Sequence, residues 1–231
     1  MLDGGLFTRD FLIEGIRDTP AWMALDDGIV TVARDRCNAL FASFGKLRNP
    51  TEPETEKDLI WPLLEVLGWS DMLVEQNLSV KRRDDVPDGL LFPNAEAKQN
   101  AMPLAAWQRF QHGVCVVEAK RWNRLLDRAD AAQRGESDVP STQILRYLRR
   151  VDDVTNGGLR WGILTNGRHW RLYFRGALSI AEDFLEIDLG KVFDLPGCER
   201  DLLDKRPGCS AAIWMGSQRQ SGWESGIAAM A

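Results

Sequence analysis

The chain predicts a mixed β-sheet flanked by α-helices, α/β or α+β in class, and three observations carry that reading. Apolar residues recur at spacings of three and four over the first third of the chain and again after residue 141. Between and beyond these stretches the period turns to two, as in half-buried strands. A run without polar interruption, Gly113-Val114-Cys115-Val116-Val117, has the character of a central strand covered on both faces. No internal repeat is present. The order is helices, strands, a helix, then a hairpin and a last strand.

Residues 1–50 read as a helical segment packed on the core, with Phe11, Leu12, Ile16, Ile29, Val32, Leu40, Phe41 and Phe44 at helical spacing. Thr19-Pro20 divides it, because proline removes a donor and restricts the residue before it. A strong helix opens after Asn49-Pro50. Thr51 can cap it, acids fill its first turn where the macrodipole favours them, and Gly68 stops it. Pro62 predicts a kink or a short break inside it. Its apolar stripe is Leu59, Ile60, Leu63 and Leu67, which turns Glu52 and Glu56 towards the packing side and Glu54 outward.

Strand-like alternation follows over 73–80, then a polar turn from Lys81 to Pro87, then a strand from Gly89 to Phe92. Residues 93–112 are mixed, with a short helix expected from Leu104 to Phe110. The stretch 123–140 predicts a long mobile loop, and a helix restarts at Ser141 or Thr142 with Ile144, Leu145 and Leu148 apolar. Residues 159–174 are two strands joined at Asn166-Gly167, the strongest hairpin signal in the chain. A strand over 183–189 precedes a tail, 196–231, that reads as a poorly ordered linker.

Composition narrows the chemistry. Only two histidines are present, and the four cysteines (Cys37, Cys115, Cys198 and Cys209) form no CxxC pair, so zinc sites, disulfide frameworks and histidine triads are poorly served. Reduced structural thiols are expected. No apolar run is long enough to cross a bilayer, and the N-terminus lacks a basic region followed by an apolar one, so a cytoplasmic protein is expected. A net charge of −5 does not exclude nucleic acid, because binding depends on a local basic face.

Carboxylates and lysine therefore carry the candidate chemistry. Asp88 stands where a strand starts, and Glu118 with Lys120 closes the most apolar strand. Residues two apart on a strand share a face, so Glu118 and Lys120 project together while Ala119 turns away. Charge at the end of a valine-rich strand is costly unless it is paired or bound to metal. Two carboxylates can hold Mg2+, which keeps several waters and needs few protein ligands, while a lysine stabilises charge on phosphoryl oxygens. An E-x-K by itself is also what an ordinary ion pair at a strand end looks like.

The segments 54–69, DVPDGLLF (85–92), VVEAKRW (116–122), QILRYL (143–148) and GILTNGRHWRLYF (162–174) together resemble the PD-(D/E)xK nucleases, in particular the nuclease domains of restriction–modification enzymes. The resemblance covers most of residues 5–190 and implies a restriction-endonuclease-like core at 51–195. It also implies a Mg2+-dependent endodeoxyribonuclease. It maps the catalytic set to Asp88, Glu118 and Lys120, the metal ligands to Asp88 and Glu118, the Q-xxx-Y pair to Gln143 and Tyr147, and a first-helix glutamate to Glu52. Two features depart from the family's pattern: 93–112 reads as an insertion, and the methyltransferase and ATP-motor motifs of such proteins are missing.

Expected DNA contacts are Arg82, Arg83, Arg121, Arg124, Tyr147 and Arg150, giving salt-dependent and largely sequence-neutral binding to double-stranded DNA. A methyltransferase or specificity subunit outside this chain, and a homodimer, are the other partners the resemblance implies. The competing reading is a catalytically silent DNA-binding or docking module with the same fold.

Overall fold

A computed structural model describes residues 2–24, 26–79, 85–130 and 138–193. The expected contacts Arg82 and Arg83, the cysteines Cys198 and Cys209 and the tail from 196 lie outside the described residues.

Among the described residues seven strands form one sheet in the order β1-β7-β6-β5-β4-β3-β2. They are β1 (Leu2–Asp3), β2 (Met72–Val74), β3 (Gly89–Leu91), β4 (Cys115–Ala119), β5 (Trp161–Thr165), β6 (His169–Phe174) and β7 (Phe184–Asp188). All neighbours are antiparallel except β4 and β5, which run parallel and so need the helical crossover between them. The helices are α1 (Arg9–Ile13), α2 (Pro20–Met23), α3 (Asp27–Phe44), α4 (Glu52–Thr55), α5 (Trp61–Val66), α6 (Ala95–Ala101), α7 (Ala106–Arg109), α8 (Pro140–Thr155) and α9 (Leu189–Val192). The mixed sheet with flanking helices is the architecture the periodicities predict.

Two apolar layers sandwich the sheet. On one face α3, α5 and the π-helical turn Glu56–Ile60 before α5 bring Phe41, Phe44, Leu59, Ile60 and Leu63 against Cys115, Val117 and Ala119. On the other, Ile144, Tyr147, Leu148 and Val151 of α8, with Phe110, cover Val116 and Leu164. All five residues of β4 are buried, which is why its sequence reads as an unbroken apolar run. Burying each of these large side chains contributes about 1.5–3 kcal/mol.

Several boundaries differ from expectation for local reasons. The N-terminal segment is not wholly helical, since Leu2 and Asp3 pair with Ile187 and Glu186 at the sheet edge. Ile29 and Val32 are exposed, and α3 buries Ala33, Cys37, Phe41 and Phe44 instead. Pro62 produces no break. The helix widens into a π turn over Glu56–Ile60, in which the Trp61 N–H donates to the Glu56 carbonyl five residues back. The strand expected over 73–80 stops at Val74, where Glu75 turns into the left-handed region at φ 49°. An additional helix, α6, forms because the Asn94 side chain caps it by accepting from the Ala97 N–H.

The hairpin turn sits one residue later than Asn166-Gly167. Its ends are Asn166 and His169, and Gly167 takes the first central position at φ +82°, as in a type II′ turn. The Asn166 side chain closes it by accepting from the N–H groups of Arg168 and His169.

Candidate active site

The two strands that carry the acids meet at one end. Gly89 is paired with Val117 across the β3–β4 ladder, so Asp88, one step beyond, lies opposite Glu118. The Ala119 N–H donates to Asp88 Oδ2 at 2.7 Å, anchoring that carboxylate where the ladder ends. Glu118 points to the α8 side of the sheet with Val116, while Ala119 packs into the opposite layer. Lys120 leaves the strand but stays tied to the sheet, its N–H donating to the Thr165 carbonyl at 2.7 Å.

Lys120 Nζ lies 2.6 Å from Glu118 Oε1 and 3.7 Å from Glu52 Oε1. The Glu118 side chain is only 1% exposed; among the described residues no N–H donates to its Oε2, and the Asp88 carboxyl lies within hydrogen-bonding reach of the Glu118 carboxyl. Such an arrangement is costly. Burial, and then the neighbouring Asp88 carboxylate, push the Glu118 pKa well above the ordinary carboxylate range. Asp88 is pushed up to about 6, chiefly by burial, against the opposing pull of Lys120 and the Ala119 N–H. Burial works against the Lys120 ammonium as well, but Glu118, Glu52 and Asp88 outweigh it and hold its pKa above the usual lysine value.

The first long helix supplies two further carboxylates. A capping box fixes its start: Thr51 Oγ1 accepts from the Glu54 N–H, and Glu54 Oε2 accepts from the Thr51 N–H at 2.8 Å. Glu54 is thereby spent outward. Glu52 turns inward, where its Oε2 accepts from the Arg121 N–H at 3.3 Å. The buried Thr55 binds this helix to the strand end by accepting from the Trp122 N–H at 3.1 Å. Glu56 is raised to about 7 by burial and then by Asp88 and Glu52. Its place on the packing side of the helix singles out Glu56, but the family resemblance does not place it in the site. The structure groups it electrostatically with Asp88, Glu52 and Lys120.

Gln143 and Tyr147 share a face of α8, as their spacing requires, and the Gln143 side-chain amide donates to the Tyr147 hydroxyl at 3.0 Å. Tyr147 is buried, with its hydroxyl 3.5 Å from the Val86 carbonyl, so it braces the approach to Asp88 instead of presenting a ring to DNA. Arg124 departs from expectation in the same way. It is buried, and its guanidinium donates to the carbonyls of Arg128 (2.8 Å), Leu125 and Asp138. Those bonds tie down the first part of the loop expected to be mobile. Asp127 is clasped by Arg171 through two bonds, and the Asn166 amide donates to the Arg124 carbonyl. Arg121 is half-buried against Asp130. Arg150 is half-exposed and faces solvent beside Arg146.

No protein-family model, curated protein or solved structure matches the chain.

The site's own chemistry is therefore the guide to what it can hold. Among the described residues no three His, Cys, Asp or Glu side chains form a ready-made metal cage. The donor set at the strand ends is two crowded carboxylates, both largely buried. That set fits Mg2+, which keeps most of its waters and asks one or two carboxylates of the protein. A cation there would offset the burial that raises both pKa values and the repulsion of Asp88 on Glu118. No helix of the described residues is long and apolar enough to cross a membrane.

Proposed function

We propose that this chain is a Mg2+-dependent endodeoxyribonuclease of the PD-(D/E)xK type with a restriction-endonuclease-like fold. The observation that carries the reading is the meeting of Asp88, Glu118 and Lys120 at one strand end, with the Glu118 carboxyl almost wholly buried beside that of Asp88. Two acids and a lysine buried together at one strand end are costly unless a bound cation or substrate makes use of them.

In this reading Asp88 and Glu118 hold the cation. Bound there, Mg2+ would polarise the scissile phosphate and lower the pKa of the attacking water. Lys120 presents its ammonium to the phosphoryl oxygens as negative charge builds on them, and its raised pKa keeps it charged throughout. Glu52 holds Lys120 from the other side, so that the lysine keeps its place when Glu118 engages the metal. Glu56 titrates near neutral pH and is suited to taking up a proton within the site. Hydrolysis adds water across the phosphorus–oxygen bond of the backbone, leaving a phosphate on one fragment and a hydroxyl on the other.

The test is cleavage of unmethylated plasmid and phage DNA with Mg2+, with EDTA, and with a Lys120→Ala variant. Nicking or cutting that needs the metal and vanishes in the variant is the expected result. DNA that stays intact in every arm, yet is still shifted on a gel, would overturn catalysis and leave a silent DNA-binding module.

A further inference from the structure

Asp85 is a buried acid that the proposed chemistry does not use. Its side chain is 7% exposed, and each of its oxygens is taken by a different arginine of α8. Arg146 Nε donates to Oδ1 at 3.0 Å, and Arg150 NH1 lies 3.1 Å from Oδ2. Arg150 NH2 donates to Ser79 Oγ at 3.3 Å. Arg146 also lies over the Tyr147 ring at 5.4 Å, with the exposed Asp138 4.0 Å from its NH1. Both arginine side chains remain nearly half exposed, at 48% and 46%.

One buried carboxylate thus fixes two guanidinium groups whose side chains remain nearly half exposed. The cluster sets two positive charges against the buried Asp85, with the exposed Asp138 at the limit of ion-pair distance from Arg146. A guanidinium fork is matched to the geometry of a phosphate, and one already fixed in place loses less freedom on binding. Position points the same way. Gln143, Arg146 and Arg150 follow one another along one side of α8, Arg146 and Arg150 roughly 6 Å apart along its axis. Asp85 precedes Asp88 by three residues, a span of at most about 10 Å of extended chain. The two forks therefore lie beside the site at the distance of the neighbouring backbone, not on a remote face.

We propose that Asp85, Arg146 and Arg150 form a clamp for a backbone phosphate flanking the one presented to Asp88 and Glu118. Asp85 is its positioning residue and the two arginines are its contacts. This rests on the nuclease reading in taking DNA as the ligand. The clamp fixes the register of the strand in the site and reads no base.

The experiment is binding of a short fluorescent DNA duplex in EDTA, where cleavage cannot intervene, across a series of salt concentrations. Arg150→Lys keeps the charge and loses the fork, and should weaken binding about tenfold. Asp85→Asn removes a negative charge and should still weaken binding several-fold, because the forks are released. The double variant Arg146→Gln/Arg150→Gln should lower the salt slope by about one for each arginine replaced. Thermal melts of each variant establish that it is folded. Asp85→Asn binding as tightly as the native protein, or tighter, would overturn the clamp and leave a diffuse basic surface. If the native protein neither binds nor cuts DNA, the nuclease reading falls with the clamp. If it does both and the variants match it, the clamp alone falls.

Discussion

Lys120 Nζ and Glu118 Oε1 stand 2.6 Å apart at the end of a fully buried strand, beside the carboxyl of Asp88. The lysine is thus the counter-charge to a carboxylate that cannot reach water, and removing it exposes that dependence. Lys120→Ala should destabilise the metal-free protein by about 3 kcal/mol at a pH alkaline enough to keep Glu118 charged, since it then stands as an unpaired buried charge. The loss should shrink at pH 5, where Glu118 can protonate instead. Chemical denaturation at the two pH values checks this; an equal loss at both would show that the pair contributes little.

Asp88 behaves in the opposite sense. Its pKa is raised to about 6, so its charge opposes folding at pH 8. Asp88→Asn keeps an acceptor for the Ala119 N–H and removes the charge. The variant should be more stable than the native protein at pH 8 without metal, by about 2 kcal/mol. It should also lose DNA cleavage by at least about a hundredfold. A variant that is both less stable and active would contradict the assignment.

The acids as a group set a pH dependence. Asp88, Glu56 and Glu118 all have folded pKa values above their unfolded ones. Each therefore contributes stability that is complete below the ordinary carboxylate range near 4 and is lost as pH rises through the folded values, about 6 for Asp88 and about 7 for Glu56. The metal-free melting temperature should fall between pH 5 and pH 8. Mg2+ should restore more of it at pH 8 than at pH 5, because it binds the charged forms. Melts with and without Mg2+ read this directly, and a metal effect that does not grow with pH would count against two carboxylate ligands.

Arg124 belongs to the framework. Arg124→Ala leaves the Arg128 carbonyl without its 2.8 Å donor and opens the loop that follows Lys120. We expect a loss of about 3 kcal/mol in stability. At a temperature where the variant remains folded, the salt slope of DNA binding should not change. A slope reduced by about one would return Arg124 to the phosphate contacts.

Some of this protein is determined by the sequence alone, wherever the deciding interaction is local. Alternation and the valine-rich run define the central strand, and the two-residue period puts Glu118 and Lys120 together. Thr51 and Glu54 are three residues apart and close the capping box by themselves, which turns Glu52 inward. The glycine at 167 specifies a turn, although the Asn166 side-chain bonds decided its register. Tertiary structure decided the rest, because burial and pairing depend on residues far apart in the chain. Arg124 and Tyr147 look like surface contacts until the carbonyls of Arg128 and Val86 arrive to occupy them. Glu56 acquires a pKa near neutrality only when Asp88 is folded against it, and Asp85 becomes the holder of two arginines 61 and 65 positions further on. No local period encodes which charges will share a volume from which water is excluded. That sharing is what turns separate acids and bases into a site.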